Sequence, residues 1–404
     1  MGLLVFGLLV VLIAILMRAT GWGLAGGIAA TVIVGALLIT LGGLLLASLG
    51  GYHEAARRSV CNYNCNQIQT AISQFSVANG HPPYLATTLP ENPASPTAFV
   101  SAGWVPQILT YLDRDDLYQI YQSNARSSLP GTPYNFDGTE GGPQGYMFIQ
   151  YIRTLDCPTA LKINDNLPAK AAGGPAAAPL SYAVNAGFTD QTTDRSEPLD
   201  YRENGVFFDQ ALSFVGGYPS APKSDLAYIA KYDGTAQTIL FGENLDAGFW
   251  AQYDGDANAP VCFVPYVSPS FRDRTNKNVS YEASQGLVWF DYSGGGAPTV
   301  DLNKGGGGAE KGLLVYSLGD GWLLPTNIAR PSSYHPGGFH ITFCDGHTMF
   351  MSQDVAYQVY AQLMTPRGSH ARPAGSGPYV AGSNPSPALQ TWQGAPISAE
   401  SLGR

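Results

Sequence analysis

The stretch HPGGFHITFCDGH, at residues 335–347, brings three histidines, one cysteine and one aspartate together in a short segment. Imidazole, thiolate and carboxylate groups bind transition metals, and histidine and aspartate also act in acid–base catalysis. Such a density is typical of a metal or catalytic site. A site of either kind needs secondary structure that holds these side chains against one another. The surrounding elements therefore decide whether the stretch is such a site or only a structural hairpin.

The centre of this stretch predicts a β-hairpin. Asp345-Gly346 lies between two segments of alternating polarity, which indicates a two-residue turn in which both residues adopt positive φ values. In that register Cys344 lies opposite His347, close enough for both to bind one soft metal ion. We prefer a structural hairpin in which His335 hydrogen-bonds a loop, because only two good ligands face each other. The same register places on one face of the hairpin Phe339, Ile341, Phe343, Thr348 and Phe350.

A second candidate site is the segment DGDANAP. Asp254, Asp256 and Asn258 repeat the alternate-oxygen spacing with which a calcium loop begins. An EF-hand is excluded, because its sixth position would be Ala259 rather than glycine and its twelfth would be Pro265 rather than glutamate. Two interpretations stay open, a compact calcium site and an ordinary Asx-rich turn.

Motifs of known enzyme classes are missing from the sequence. It contains no Gly-x-Ser-x-Gly elbow, no His-Glu-x-x-His helix and no Cys-x-x-Cys pair. Glu243, in TILFGENL, ends a predicted strand and is expected to anchor a loop rather than act as an acid. We therefore predict that the protein is not an enzyme, and we expect no cofactor apart from the calcium considered above.

The first fifty residues are apolar enough to enter a membrane. Residues 3–17 form an uncharged run, Arg18 interrupts it, and residues 19–49 contain no ionisable side chain. Since a helix needs about 20 residues to cross about 30 Å of hydrocarbon, the second run is long enough and the first is marginal. Two layouts are open: a hairpin of two membrane helices, which we prefer, and a first helix that lies along the bilayer.

An amphipathic helix is predicted directly after these runs. Apolar side chains recur there at spacings of three and four, which places them on one helical face: Cys61, Cys65, Ile68, Ile72 and Phe75. Asn79-Gly80 offers a left-handed cap, and Pro82-Pro83 forbids continuation, so the helix is expected to end near residue 79.

Composition limits the remaining possibilities. Only 13% of residues are charged, and 48 glycines and 29 prolines favour a loop-rich body that contains β-strands. The net charge of -9 comes with no basic stripe, which makes nucleic acid an unlikely partner on electrostatic grounds. The five cysteines are an odd number, and spacing alone leaves their pairing open.

Several segments, in their order along the chain, carry a resemblance to a known family. They are HEAARRSVCNYNCNQIQTAISQFSVANGHPPYL, CPTALKIN, SYAVNAGF, NGVFFDQ, DGTAQTILFGENL and SSYHPGGFHITFCDGHTMFMS. The chain resembles the bacterial family of pilin-like proteins of unknown function with a prepilin-type N-terminus and a C-terminal His, nine residues, Asp-Gly motif. That motif is here His335, Asp345 and Gly346, and the resemblance gives it a structural role.

The resemblance implies an α+β fold, in which a long N-terminal helix packs on a mainly antiparallel β head with loop-rich insertions. The implied domains are a hydrophobic segment at 1–50, the amphipathic helix at 51–80, the head at 81–364 and a Pro/Gly-rich tail at 365–404. The chain departs from the family at its start, since its first acidic residue is Glu54 and the usual carboxylate near the processed N-terminus is missing.

The function implied is that of a membrane-anchored structural subunit that self-associates through its N-terminal helices into a filament or an envelope-surface assembly. Its partners would be membrane lipid and copies of itself. The resemblance places it in the bacterial cytoplasmic membrane or at the cell surface with the head outside the cytoplasm, whereas the positive-inside rule alone, applied to Arg57 and Arg58, favours a cytoplasmic body.

The alternative function is an anchored, non-enzymatic binding module for an envelope glycan or protein. Its binding surface would be aromatic, because aromatic side chains combine a large apolar contact area with a polar edge. The candidates are Trp250, Tyr253, Trp289 and Tyr292.

Overall fold

The structure of the protein is a computed structural model. It describes residues 24–89, 100–119, 150–160, 179–188, 201–210, 219–245, 247, 250, 271–272, 280–281, 285–289, 315–317, 323–325, 330–353, 355 and 357–371.

The described residues form both helices and strands. The helices are α1 (Leu24–Asn79), α2 (Trp104–Ile108), α3 (Leu226–Lys231) and α4 (Tyr357–Met364). The strands are β1 (Ala86–Leu89), β2 (Val100–Gly103), β3 (Tyr182–Phe188), β4 (Ile239–Glu243), β5 (Phe271–Arg272), β6 (Ser280–Tyr281), β7 (Gly286–Trp289), β8 (Val315–Ser317), β9 (Leu323–Pro325), β10 (Gly338–Phe343) and β11 (Thr348–Ser352). Single 3-10 turns lie at Leu109–Leu112, Arg153–Leu155, Thr235–Gln237 and Gly368–His370.

The chain divides into two compact units, Met1–Arg58 and Ser59–Arg404. In the part of the first unit that is described, Arg58 Nε lies 3.2 Å from Glu54 Oε1 one helical turn away. Among the residues searched, which are the described ones, no helix combines the length and the hydropathy needed to cross a membrane. The predicted run 3–17 lies outside the described residues, as do most side chains of the run 19–49.

The second unit is built around a five-stranded sheet with the order β11-β10-β4-β3-β7. Neighbouring strands are antiparallel except β3 and β7, which are parallel. The strands of its centre, β4 and β10, are buried along their whole length. The predicted α+β class and the mainly antiparallel sheet are therefore confirmed.

Helix α1 contributes its predicted apolar stripe to the core of this unit. Cys61, Cys65 and Ile68 are fully buried, and Ile72 and Phe75 are 1% and 8% exposed. The helix ends at Asn79, as predicted, where Gly80 takes a φ of +77° and its N–H donates to Ser76 O at 2.8 Å. A positive φ costs glycine little, and this explains why the helix stops there.

The hairpin of β10 and β11 is present, but its predicted register is wrong by one residue. Thr342 pairs with Thr348, and Phe343 N–H donates to His347 O, so Phe343 rather than Cys344 lies opposite His347. Of the central pair, Gly346 has a positive φ of +94° and Asp345 does not, which excludes the two-residue primed turn. The loop has three residues and ends in a left-handed glycine, the next most common hairpin geometry.

This shift moves side chains between the faces of the hairpin. Phe339 and Ile341 pair with Met351 and Met349, whereas Thr348 and Phe350, which were predicted to share their face, pair with Thr342 and His340. The facing Cys344–His347 pair that the two-residue turn would create does not form.

Candidate functional site

Four chemically reactive side chains from distant parts of the chain meet in the core of the second unit. They are Cys61, Cys157, Glu243 and His335, whose ligand atoms all lie within 4.8 Å of one another. Each is buried, with a relative exposure of 2% or less. We call this group the Cys–Glu–His cluster.

A different local structure positions each member of the cluster. Cys61 belongs to the buried stripe of α1, and Glu243 is the last residue of the buried strand β4. Cys157 follows the 3-10 turn Arg153–Leu155, and its N–H donates to Ser181 Oγ at 3.0 Å. His335 precedes β10, and its N–H donates to Ser333 Oγ at 2.9 Å. The cluster is therefore held by a helix, a strand and two short connections.

Helix α1 makes a further contact beside Cys61. Asn64 Nδ2 donates to the carbonyl oxygen of Asp156 at 2.9 Å, next to Cys157. The Asp156 carboxylate in turn accepts from Ser181 Oγ at 3.2 Å and from the Tyr151 hydroxyl at 2.6 Å. These bonds satisfy polar groups that burial would otherwise leave without partners.

Glu243 is the centre of the cluster. Its Oε1 lies 3.3 Å from His335 Nε2, 3.2 Å from His340 Nδ1 and 3.4 Å from Cys157 Sγ. Its Oε2 accepts the backbone N–H of His340 at 2.7 Å. The two imidazole rings meet edge to face, with centroids 5.3 Å apart. One carboxylate thus contacts a histidine from β10, a histidine from the preceding loop and a sulfur atom.

These contacts decide the charge state of the glutamate. Burial alone would raise the pKa of Glu243, but hydrogen bonds from His335 and His340, together with the charges of both imidazoles, lower it to about 2. Glu243 is therefore ionised at neutral pH although it is buried. A buried carboxylate is tolerated only when it is paired and hydrogen-bonded, and this one is both.

The two cysteines of the cluster form a disulfide, Cys61–Cys157, with Cα atoms 5.3 Å apart. This Cα separation is ordinary for a disulfide. The bond joins α1 to the connection before β3 across 96 residues of sequence. A disulfide sulfur carries no proton, so Cys157 cannot donate to Glu243 in this state. The donors are the ring of His335 and the backbone N–H of His340.

The other cysteines in the described part of the chain are free and buried, namely Cys65 and Cys344. Burial, followed by the negative charge of Glu243, raises the pKa of the Cys65 thiol well above its ordinary value. Burial likewise raises the pKa of Cys344. Since the thiolate is the reactive form, both residues are poor nucleophiles where they stand.

The structure adds a second contact of His335 to the loop hydrogen bond that was predicted for it. Its backbone N–H binds the neighbouring loop through Ser333, whereas its ring lies between Glu243 and Cys157 Sγ, which is 3.5 Å from Nε2. The other two residues of the His, nine residues, Asp-Gly motif lie in the hairpin loop. Asp345 Oδ1 is 2.6 Å from His347 Nδ1, and a Cβ at Gly346 would lie 2.6 Å from Gln69 Nε2 of α1.

The aromatic binding surface proposed from the sequence is not supported at the two positions described. Trp250 is 1% exposed and Trp289 is fully buried. Their indole N–H groups donate to the carbonyl oxygens of Gln150 and Asn204, at 2.8 and 2.9 Å. Both tryptophans belong to the core, because a hydrogen bond to a buried carbonyl satisfies their one polar atom.

The remaining predicted site residues cannot be placed. Tyr253 and Tyr292 lie outside the described residues. So do the three candidate calcium ligands, Asp254, Asp256 and Asn258, and the calcium site stays a prediction.

Sequence reasoning missed the Cys–Glu–His cluster as a unit. It assigned Cys61 to an apolar stripe and expected Glu243 to anchor a loop, yet the Glu243 side chain binds two histidines. A usable signal was present, because each of the four residues lies in a different one of the segments that carry the family resemblance. The near-zero exposure of the cluster is typical of a structural joint or an enclosed metal site.

Comparison with known proteins gives one result. The model of a family described as a protein of unknown function (DUF1559) matches residues 52–358, which is more than half of the chain. No curated protein and no solved structure matches.

Proposed function

The chain belongs to the DUF1559 family of proteins of unknown function, and on that premise we propose that it is a membrane-anchored, pilin-like structural subunit. Its N-terminal segment holds it in a bilayer and associates with copies of itself. The product is a filament or an ordered assembly at the envelope surface. The heads lie outside the cytoplasm and make the lateral contacts.

The observation that carries this proposal is the composition of helix α1. The helix begins at Leu24 within the uncharged run 19–49 and ends at Asn79, after the stripe that is buried in the second unit. One continuous helix therefore joins residues of the run that the sequence predicts to be a membrane segment to a face that belongs to a folded head. This is the arrangement that the pilin-like resemblance implies.

Two further observations support the proposal. The Cys61–Cys157 disulfide is typical of an oxidising compartment and therefore fits a head outside the cytoplasm. On the α1 face opposite the buried stripe, Tyr63 and Val77 are 61% and 86% exposed. Exposed apolar side chains on a helix offer a contact surface for a second copy.

The test is electron microscopy of the full chain, purified in detergent and returned to lipid by removing the detergent. The proposal predicts helical filaments or ordered sheets. Monodisperse monomers that bind envelope polysaccharide would contradict it and favour the anchored binding module.

A matched pair of variants sharpens this test. Tyr63→Glu places a charge on the exposed apolar face and is expected to abolish assembly without unfolding the head. Gln67→Glu adds the same charge one turn along α1, at a position that is exposed and already polar, and should assemble like the wild type. If both variants assemble normally, this face takes no part in self-association.

A further inference from the structure

We propose that the Cys–Glu–His cluster is a zinc site when its disulfide is reduced, with Cys61, Cys157, Glu243 and His335 as the four ligands. Two thiolates, one imidazole and one carboxylate form a donor set typical of tetrahedral zinc. The ligands fill all four positions, and their burial excludes water, so the site would be structural. The inference is independent of the proposed function.

The distances within the cluster fit a tetrahedron. Ligand bonds of about 2.0 to 2.3 Å at tetrahedral angles separate neighbouring ligand atoms by about 3.3 to 3.8 Å. His335 Nε2 lies 3.3 Å from Glu243 Oε1 and 3.5 Å from Cys157 Sγ, and that sulfur lies 3.4 Å from the same carboxylate oxygen. These three edges are already close to the required lengths. The two edges from Cys61 Sγ to Glu243 and His335 are at most 4.8 Å long. The edge between the two sulfur atoms is a covalent bond and must open, and reduction of the disulfide opens it.

The chemistry of the 3.4 Å contact between Cys157 Sγ and Glu243 Oε1 also points to an ion. In the disulfide state no proton can lie between these two atoms, since neither a disulfide sulfur nor an ionised carboxylate is a donor. The lone pairs of Cys157 Sγ and Glu243 Oε1 therefore face each other across 3.4 Å. A cation is a partner that both atoms can bind at once, and His335 Nε2 can join them when its proton passes to solvent.

The surroundings supply the support that metal ligands require. Glu243 Oε2 is fixed by the backbone N–H of His340 at 2.7 Å, which leaves Oε1 to face the other three ligands. Cys157 is positioned by the hydrogen bond of its N–H to Ser181 Oγ. Second-shell bonds of this kind orient metal ligands, and losing one typically weakens metal binding by about 10- to 100-fold.

The exchange between the two states balances with a dithiol as the reductant. The dithiol gives two electrons and two protons to the Cys61–Cys157 bond, which becomes two thiols, and is itself oxidised to a cyclic disulfide. Zinc then binds both sulfur atoms as thiolates and His335 through Nε2, and the two thiol protons and the Nε2 proton pass to solvent. The disulfide would hold α1 to the connection before β3 in an oxidising compartment, and zinc would hold it at the same point in a reducing one.

Cobalt titration of the full chain in detergent tests this inference. The protein is reduced with a dithiol in urea, freed of both reagents under anaerobic conditions and titrated with Co²⁺. We expect one ion per chain, with thiolate-to-cobalt charge-transfer bands and the visible bands of tetrahedral cobalt. The oxidised chain should show neither. A reduced chain without charge-transfer bands would overturn the proposal.

Two cysteines of α1 provide a matched control, because Cys61 and Cys65 are both buried and lie one turn apart. Cys61→Ser is expected to weaken Co²⁺ binding by more than about 100-fold, whereas Cys65→Ser should keep the wild-type affinity within about 3-fold. Equal losses in both variants would contradict the assignment of ligands. Should either variant fail to fold, the reduced wild type decides: Zn²⁺ must raise its unfolding temperature, and an unchanged temperature refutes the site.

Discussion

Two histidine–carboxylate pairs of this protein differ in almost every physical respect. Asp345 lies in the hairpin loop and His347 directly after it, with side-chain atoms 2.6 Å apart and side chains 34% and 39% exposed. Glu243 and His335 are 3.3 Å apart, and their side chains are at most 1% exposed. The first pair spans two residues of chain, and the second joins β4 to the loop before β10.

The comparison shows that burial, rather than contact distance, decides what such a pair contributes. An exposed ion pair is screened by water and is typically worth less than about 1 kcal/mol. Breaking a buried pair leaves one charged or polar group without a partner in the core and costs about 3 to 5 kcal/mol. The shorter contact is therefore expected to be the weaker one.

The largest effect is expected from removing the disulfide beside the buried pair. Cys157→Ser frees a loop of 96 residues in the unfolded chain, and the free energy of unfolding should fall by roughly 4 kcal/mol under oxidising conditions. Urea unfolding followed by circular dichroism measures this loss. Cys344→Ser is the control, since Cys344 is buried but free, and a loss of equal size there would refute the assigned role of the disulfide.

Neutralising the buried carboxylate should rank next. Glu243→Gln keeps the side-chain shape but turns one acceptor into a donor that faces His335 and His340, and we expect a loss of about 3 kcal/mol. Thermal or urea unfolding of the full chain in detergent provides the measurement. A variant as stable as the wild type would show that the ionised carboxylate is not needed in the core.

Acid should act through the same carboxylate. Because the pKa of Glu243 is lowered from about 4.5 to about 2 in the folded protein, its contribution to stability is complete above pH 4.5 and is lost as the pH falls toward 2. The wild type should therefore lose stability across this range, and Glu243→Gln should lose less. Urea midpoints of both proteins from pH 6 to 2 test this, and parallel curves would contradict it.

The smallest effect is expected at the exposed pair. Asp345→Asn removes the charge beside His347 but keeps an acceptor for its backbone N–H, which Asp345 Oδ1 binds at 3.0 Å. The free energy of unfolding should change by less than about 1 kcal/mol. A loss as large as that of Glu243→Gln would mean that exposure does not separate the two pairs.

Local signals in the sequence were sufficient for some features and not for others. Apolar spacing predicted the buried face of α1, and Asn79-Gly80 predicted its end, because both depend on neighbouring residues alone. The predicted length of the hairpin loop was wrong by one residue, because Asp345 and Gly346 suit a three-residue loop as well as a two-residue one. In the loop that forms, Gly346 packs against Gln69 of α1. Rules based on neighbouring residues do not include a contact of this kind.

Rules based on neighbouring residues could not predict the Cys–Glu–His cluster. Its members are separated by 96 residues between the cysteines and by 86 between Cys157 and Glu243, so their meeting depends on the whole fold. Glu243 at the end of an apolar strand gave a local hint, but a carboxylate at a strand end is usually solvated. Only the order of the sheet shows that this one is enclosed.

The most direct test of the claim that Glu243 and His335 act as one buried unit is a double-mutant cycle with Glu243→Gln and His335→Gln. We predict a coupling energy above about 1 kcal/mol for this pair and close to zero for the same cycle at Asp345 and His347. Additive losses at Glu243 and His335 would contradict the account.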